Sequence, residues 1–309
     1  MFRTTAFLFV LLLPQLCMGQ GSEPTGIPGV VAPSAAVELV KEGFVFTEGP
    51  VGRSDGGINF SDLRASRIYR LDQNGGIAIF RENTRGANGL ALDKNDNLLA
   101  AEGDGRRIVR MDSRGKVTPI ATQPAPGQLF FAPNDLIVDR RGGIYFTDPG
   151  PRPVVPGRKA YVYYFSPDAD HPAVIDDEIA RPNGLTLTVN GNTLIVDDTL
   201  GDTVYAFSVG PDGTVKAKRP FARLHDIPPG QESGADGMAL DRDDRVYVAT
   251  VTGVQVFDRT GQYLGTIRVP RQPSNLAFAG PNKRTLYITA REGLYKLQML
   301  SQGPDRPGK

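Results

Sequence analysis

The sequence has little cysteine, little histidine and no excess of charge of either sign. Its 309 residues include one Cys and two His, too few for a zinc site built from those ligands. Lys and Arg number 35 against 34 Asp and Glu, which gives a formal net charge of +1. Nucleic-acid binding needs a basic face that neutralises phosphates, and this balance provides none. We therefore expect no nucleic-acid partner.

Long hydrophobic runs are also missing after the first twenty residues. Residues 1–20 contain the basic Arg3, an apolar run over 6–13 and the small residue Gly19, which is typical of a signal peptide. The run is too short to cross a bilayer, although a retained anchor is the alternative. We expect export to the periplasm or the medium, and a mature chain that has no cysteine and does not associate with a membrane.

Glycine and proline, by contrast, are abundant. The chain has 36 Gly and 25 Pro, a density that disfavours a bundle of helices because both residues weaken helix interiors. A hydrophobic content of 40% is nevertheless enough for a packed core. This composition favours an all-β domain.

One phrase recurs six times along the chain. Examples are EGPVGRSDGGINFSD from residue 48, ANGLALDKNDNLLAAE from residue 87 and PNDLIVDRRGGIYFTD from residue 133. The copies repeat at intervals of roughly 40 to 50 residues, which is the repeat length of a β-propeller blade. Aligned on the second residue of the phrase, their equivalent positions are Glu48, Asn88, Asn134, Asn183, Asp236 and Ser274.

Each copy divides into short apolar runs separated by turn residues. In the second copy the runs cover 90–92, 98–101, 108–111 and 117–120. The turns carry residues that tolerate positive φ, namely Asp96-Asn97, Gly142-Gly143, Asn190-Gly191 and Asp212-Gly213. We predict a six-bladed β-propeller over 36–300, with four antiparallel strands per blade. Residues 36–46 should pair beside the last copy and close the ring.

The remaining segments carry no repeat. We expect residues 21–35 to be flexible and residues 301–309 to form a disordered tail. A solenoid is the competing architecture for such a repeat, but its polar capping repeats are not found in the sequence.

The six aligned positions should face one another, because the innermost strand of every blade lines the central channel. All six bear oxygen, and none is a thiolate or an imidazole. Carboxylate and amide oxygens are hard ligands that suit Ca²⁺, Mg²⁺ or Mn²⁺. We therefore predict a metal site formed by Glu48, Asn183 and Asp236, with Asn134 beside them. Asn88 taken alone is as well explained by a turn.

At these residues the sequence resembles the gluconolactonase family, which includes senescence marker protein (regucalcin). The similarity runs from about residue 37 to residue 300. It rests on FTEGPV (46–51), NFSDLRASRIYRLD (59–72), ANGLALD (87–93), APNDLIVDRRGGIYFTDP (132–149), RPNGLTL (181–187), ADGMALD (235–241) and LYITA (286–290).

The resemblance implies a six-bladed propeller that binds one divalent cation on its axis and opens sugar lactones. In the family the Glu of EGP, the Asn of PNG and the Asp of DG hold the metal, and these are Glu48, Asn183 and Asp236 here. The Asn of PND, here Asn134, lies at the metal or the substrate, and Asp135 near the substrate. Ca²⁺ is the expected ion, with Zn²⁺, Mg²⁺ and Mn²⁺ as alternatives.

Three departures from the family pattern concern the substrate. Gly103 follows Glu102 where many members have a His, and residues 149–152 read PGPR where many have PPYG. Ala132 stands where some animal members place an Arg. A lactone-opening activity is therefore better supported than specificity for gluconolactone.

The predicted reaction is hydrolysis of a lactone. The metal would polarise the lactone carbonyl, Asp236 or Asp135 would take a proton from water, and Asn134, Asn88 and Asp135 would contact the substrate. The protein would act as a monomer or weak dimer on a small-molecule lactone. Two rivals are a non-catalytic exported propeller and a broader aryl-esterase or phosphotriesterase. An apolar rim formed by Leu129, Phe130 and Phe131 would favour the esterase, although these side chains could equally be core.

Overall fold

Six four-stranded antiparallel sheets surround a common axis in the computed structural model, which describes residues 26–305. Within that range there is no α-helix, and one short 3-10 helix covers Pro281–Lys283. The architecture confirms the predicted six-bladed propeller. The predicted signal peptide, residues 1–20, lies outside the described residues. No helix within 26–305 is long and apolar enough to cross a membrane.

The first three blades follow the chain from the axis outward. Strands are numbered in chain order. Blade 1 contains β2 (Thr47–Gly52), β3 (Ile58–Asp62), β4 (Arg67–Leu71) and β5 (Ile77–Glu82). Blade 2 contains β6 (Ala87–Leu92), β7 (Leu98–Glu102), β8 (Arg107–Met111) and β9 (Val117–Ala121). Blade 3 contains β10 (Leu136–Val138), β11 (Ile144–Asp148), β12 (Tyr161–Phe165) and β13 (Ala173–Asp176).

The next three blades complete the ring. Blade 4 contains β14 (Pro182–Leu187), β15 (Thr193–Asp198), β16 (Thr203–Val209) and β17 (Val215–Arg223). Blade 5 contains β18 (Met238–Leu240), β19 (Val246–Thr250), β20 (Gly253–Phe257) and β21 (Tyr263–Ile267). Blade 6 contains β22 (Asn275–Ala279), β23 (Thr285–Ala290), β24 (Gly293–Gln298) and, as its outermost strand, β1 (Glu38–Glu42).

The ring is closed by a strand within residues 36–46, as the sequence predicts. Strand β1 pairs antiparallel with β24, with Glu38 opposite Lys296 and Glu42 opposite Gly293. The N-terminal strand thereby belongs to the last blade, so the two ends of the repeat array share one sheet. This pairing covers the outer edge of β24, which would otherwise be exposed.

An aspartate sets six of the hairpin turns by the same pair of hydrogen bonds. The carboxylate of Asp93 accepts hydrogen bonds from the backbone N–H of Asn95 and Asn97, at 2.8 and 3.0 Å. Asp72, Asp112, Asp139, Asp241 and Asp258 accept the same two bonds in their own turns. The predicted positive φ is found at Asp96, Gly142, Gly191 and Gly213. In these six turns the Asp that follows an apolar run therefore ends one strand and fixes the turn that leads into the next strand.

The hydrophobic core lies between neighbouring blades. Phe130 and Phe146 meet edge to face, and Tyr163 stacks on Phe146, in the cluster shared by blades 2 and 3. Equivalent clusters fill the other interfaces, so every blade is covered on both faces. The sheets are thus fixed relative to one another, and so are the ends of their inner strands.

Both predicted flexible ends are better ordered than the sequence suggests. Ile27, Val30 and Val31 are buried and join the core shared by blades 5 and 6, so residues 26–35 do not fit the prediction of a flexible 21–35. At the other end Ser301 bonds to the hydroxyl of Tyr247 at 2.9 Å, and Gly303 N–H donates to Lys283 O. The prediction of a disordered 301–309 is therefore wrong for 301–305. Residues 306–309 lie outside the described range.

Candidate active site

The six aligned positions lie at the start of the innermost strands, which form a ring. Strands β2, β6, β10, β14, β18 and β22 form a closed ring in which each contacts the next. Around this ring Gly89 N–H donates to Asn134 O at 2.8 Å, and Gly237 N–H donates to Ser274 O at 2.7 Å. Asn183, Asp236 and Ser274 line one cavity. The structure thus places three of the aligned positions in one cavity, and the other three belong to the same ring of neighbouring strands.

A bulge interrupts the inner strands of blades 2 and 4 at the aligned residue. In blade 2, Asn88 and Gly89 together oppose the single residue Ala101. In blade 4, Asn183 and Gly184 oppose Asp197 in the same way. A bulge bends its strand locally and redirects the side chain beside it. The recurrent Asn-Gly of the sequence therefore forms a strand irregularity that carries polar groups inward.

Glycine follows four of the six ring positions because the inner strands touch there. A Cβ on Gly184 would lie 2.0 Å from Asp236 O, and one on Gly89 would lie 2.2 Å from Asp135 Oδ1. Gly49 and Gly237 are equally confined. The two remaining copies have Asp135 and Asn275 at this place, and both side chains are buried at the centre of the ring. The channel is therefore filled just beneath the aligned residues.

Glu48 is tied into this central layer. Its Oε2 accepts a hydrogen bond from Gly49 N–H at 2.9 Å and one from Asn275 Nδ2 at 3.3 Å. Asp135 is fully buried, and its Oδ1 accepts from Leu136 N–H at 2.9 Å. Asp236 is only half-buried and faces the cavity. The carboxylates at the axis thus differ in their access to a substrate.

Three buried oxygens at the ring have no hydrogen-bond partner among the described residues. They are Asn88 Oδ1, Asn183 Oδ1 and Asp197 Oδ2. Asn183 Nδ2 donates to Thr199 Oγ1 at 3.2 Å, which fixes the amide and leaves its oxygen unused. Leaving such an atom buried and unpaired costs about 1–3 kcal/mol. Oxygens in this state are suited to a hard cation.

A cation at this site would need amide oxygens as well as carboxylates. Within 26–305 no group of three or more His, Cys, Asp or Glu side chains is close enough together to hold a metal ion. The oxygen donors that surround the axis include Glu48, Asn88, Asn134, Asn183, Asp197 and Asp236. A mixed set of this kind fits Ca²⁺ better than Zn²⁺, because Zn²⁺ favours nitrogen and sulfur ligands.

Asp197 is the site residue that sequence reasoning missed. It lies on β15, the second strand of blade 4, and is fully buried opposite the bulge at Gly184. Burial raises its pKa well above the usual value, and the negative charges of Asp236 and Asp135 raise it further. Gly184 N–H donates to Oδ1 at 3.0 Å, which partly offsets these effects. The signal in the sequence is a charge at a position that is uncharged in the other five blades. The residues equivalent to Asp197 there are Ser61, Ala101, Thr147, Ala249 and Thr289.

The raised pKa of Asp197 predicts a pH dependence of stability in the metal-free protein. A carboxyl group whose folded pKa lies above its unfolded value stabilises the fold at low pH, and this contribution is lost as pH rises from 3.8 through the folded pKa. We expect Asp197→Asn to lose less unfolding free energy than wild type between about pH 4 and pH 8. Urea unfolding in the presence of a chelator measures the difference.

The matched control for this prediction is Asp168→Asn, whose side chain is 87% exposed. It should keep the wild-type pH slope. Identical slopes for wild type and Asp197→Asn would mean that Asp197 is not held in an environment that opposes its charge.

An open cavity of about 400 Å³ lies over the ring. Asn183, Asp236 and Ser274 form part of its floor, and Arg152, Glu232 and Gly234 belong to the loops that approach it. An ion pair of 2.6 Å between Arg152 and Glu232 joins the two loops. The long, proline-containing segments 149–158 and 225–234 both contribute residues to the cavity.

A third long, proline-containing segment, 123–133, lies elsewhere. Leu129 and Phe131 line a separate cavity of about 640 Å³ beside blade 3. Phe130 is buried in the core between blades 2 and 3. The apolar rim that would favour an aryl-esterase is therefore absent from the residues that line the axial cavity, because this segment packs against blade 3 before it enters the ring at Asn134.

Comparisons with known proteins agree with this geometry. The model of the SMP-30/Gluconolactonase/LRE-like region matches residues 46–292. A gluconolactonase of Zymomonas mobilis is 24% identical over 87% of this chain and 83% of its own length. A pentonolactonase of Haloferax volcanii is 27% identical, covering 80% of this chain and 81% of its own.

A comparison with solved structures shows that the fold is shared as well. A gluconolactonase of Xanthomonas campestris is 30% identical, with a TM-score of 0.75 over 86% of this chain and 90% of its own. Two features thus coincide: a shared fold over nearly the whole propeller, and relatives whose names describe the opening of sugar lactones.

Proposed function

This chain belongs to the SMP-30/gluconolactonase/LRE-like family, and from that premise we propose that it is a divalent-metal-dependent hydrolase of sugar lactones. The similarity to gluconolactonase and pentonolactonase sequences supports the lactone-opening activity. The observation that carries metal dependence is Asn183 Oδ1, a buried oxygen that has no hydrogen-bond partner among residues 26–305 and belongs to a residue that lines the same cavity as Asp236. We propose that Glu48, Asn183 and Asp236 hold the cation, together with Asn134.

A divalent cation at such a site supplies positive charge that stabilises the carbonyl oxygen of the lactone as it becomes negative. The donor set is all oxygen, so Ca²⁺ is the ion that we propose, with Mg²⁺ and Mn²⁺ as the nearest alternatives. The signal peptide expected from residues 1–20 would place the protein outside the cytoplasm, where Ca²⁺ is plentiful.

Asp236 is the better candidate for the general base. It is half-buried at the floor of the open cavity, so a water molecule and a substrate can reach its carboxylate. Asp135 is fully buried and its Oδ1 already accepts a backbone hydrogen bond. We therefore assign proton transfer to Asp236 and give Asp135 the task of holding the central layer in place.

The proposed reaction is a water addition followed by ring opening. Water oxygen bonds to the lactone carbonyl carbon while Asp236 takes one proton. The bond from that carbon to the ring oxygen then breaks, and the departing oxygen receives the proton that Asp236 took from water, which gives the open-chain hydroxy acid and restores the Asp236 carboxylate. Asn134 and Asn88 would orient the sugar hydroxyls, since both amides lie at the ring that the substrate must approach.

Turnover of a substrate panel tests the function directly. We expect the purified protein to hydrolyse glucono-1,5-lactone and pentono-1,4-lactones. Titration of the released acid measures the rate. Phenyl acetate and a phosphotriester should be hydrolysed at least about tenfold more slowly, because the cavity lacks the apolar rim that would hold them. Faster hydrolysis of the aryl substrates would favour the esterase alternative, and no turnover of any lactone or ester would favour a binding protein.

A further inference from the structure

Arginine side chains from four parts of the chain converge on the axial cavity. Arg64 follows the second strand of blade 1, and Arg291 follows that of blade 6. Arg181 directly precedes β14, and Arg152 lies in the long loop of blade 3. The whole chain carries a formal charge of only +1, so this concentration of positive charge is local to the cavity mouth.

Arg181 is the most constrained of the four. It is 9% exposed, and its Nη1 donates to Pro149 O at 3.2 Å and to Pro151 O at 3.0 Å. Among residues 26–305 no carboxylate forms an ion pair with it, although the negative charges of Glu232 and Asp236 act on it from a greater distance. A guanidinium group that is desolvated without a carboxylate partner is costly, and an anionic ligand recovers that cost.

The other three arginines differ in their partners. The guanidinium groups of Arg64 and Arg291 lie 5.2 and 5.5 Å from the ring of Phe46. Neither has a carboxylate partner in the described part of the chain. Arg152 pairs with Glu232, whose side chain is 47% exposed, so water screens that ion pair. A cation in the ring would balance the carboxylates of Glu48 and Asp236, and Glu232 balances one arginine, so the cavity mouth keeps a net positive charge.

We propose that the substrates are acidic lactones, which carry a carboxylate or a phosphate group at the end opposite the lactone carbonyl and present it to Arg181. This inference rests on the proposed function. Arg181 and Asn183 line the same cavity of about 400 Å³, which is large enough for a hexose derivative. The lactone carbonyl can therefore lie at the ring while the distal anion reaches the guanidinium group.

Matched pairs of substrates test the charge preference. Glucaro-1,4-lactone carries a carboxylate that glucono-1,4-lactone lacks, and 6-phosphoglucono-1,5-lactone carries a phosphate that glucono-1,5-lactone lacks. We expect kcat/KM to be at least about tenfold higher for the charged member of at least one pair, as a charge-assisted hydrogen bond provides. The pair that shows the larger ratio distinguishes carboxylate recognition from phosphate recognition.

Substitution of Arg181 tests the assignment to this residue. Arg181→Gln keeps a side-chain N–H donor for the proline carbonyls but removes the charge. It should lower kcat/KM for the charged lactone about 10- to 100-fold, mainly through KM, and change the neutral lactone about twofold or less. Arg64→Gln, at an exposed position, should give a smaller effect in the same direction. The control is Arg223→Gln on β17, whose partner is Asp202 and which lies away from the cavity.

Failure of this inference differs from failure of the proposed function. Equal rates for charged and neutral lactones, or equal losses for both in Arg181→Gln, would overturn the charge preference while leaving the lactonase intact. Absence of all lactone turnover would overturn the proposed function. In that case calorimetric titration with glucarate decides the inference: binding that Arg181→Gln weakens supports an acid-binding cavity, and no binding overturns it.

Discussion

Asp236→Ala is expected to reduce kcat/KM for lactone hydrolysis by at least about 10³-fold while the propeller remains folded. The substitution removes a carboxylate oxygen from the proposed cation site and the proposed general base at the same time. Asp236 is half-buried at a cavity rather than packed in the core, so its side chain contributes little to stability. Initial rates of acid release, together with a thermal unfolding curve, measure both parts of the prediction.

Asp168→Ala is the matched control for this variant. Its side chain is 87% exposed, on the loop that follows β12, and its loss should leave kcat/KM within about twofold of wild type. An Asp236→Ala protein that kept more than a tenth of wild-type turnover would show that this carboxylate is not at the centre of the reaction.

Gly184→Ala should abolish turnover and lower the unfolding free energy by about 3 kcal/mol or more. The added Cβ would lie 2.0 Å from Asp236 O and 2.9 Å from Asp197 Oδ2. The first of these atoms is backbone, so relief requires β14 to move away from blade 5. That movement would separate Asn183 from Asp236, and stability and activity would fall together. Urea unfolding and the lactone assay measure the two effects.

Gly103→Ala provides the comparison, since it places the same methyl group near the same face of the propeller. Its nearest neighbour would be Pro133 O at 3.5 Å, which is ordinary van der Waals contact. We expect the unfolding free energy to change by about 0.5 kcal/mol or less. If Gly184→Ala proved as harmless as Gly103→Ala, the inner strands could not be as close as described.

The architecture and the ring could be predicted because both follow from the repeat. Six copies of one phrase predict six equivalent blades, and equivalent positions in a closed ring must face a common axis. Glu48, Asn183 and Asp236 were selected in this way, as was the pairing of residues 36–46 with the last blade. Local chemistry predicted the turns as well, since Asp, Asn and Gly were present where positive φ was required.

Asp197 could not be selected from the alignment of first strands because it belongs to a second strand. The Asp197 side chain has space near the axis for two reasons. Gly184 has no side chain, and the bulge places the two residues opposite each other. Both conditions depend on the register of two paired strands. A search for charge at positions that are uncharged in the other blades would have identified it.

The cavity mouth and the chain ends depend on tertiary contacts that no repeat encodes. Arg64, Arg152, Arg181 and Arg291 occupy different places in their blades, so aligning the copies does not bring them together. The segment 123–133 packs beside blade 3, where its hydrophobic residues find the core. Ile27 and Val30 likewise become ordered by packing against blades 5 and 6, which their isolated position in the sequence does not indicate.

The central claim is that the oxygen donors around the axis hold one divalent cation on which lactone hydrolysis depends. Elemental analysis of the purified protein, combined with lactone assays before and after chelation, tests it most directly. We expect about one equivalent of a divalent cation per chain, loss of turnover on chelation and recovery when Ca²⁺ is restored. Full turnover by protein shown to be free of metal would contradict the claim.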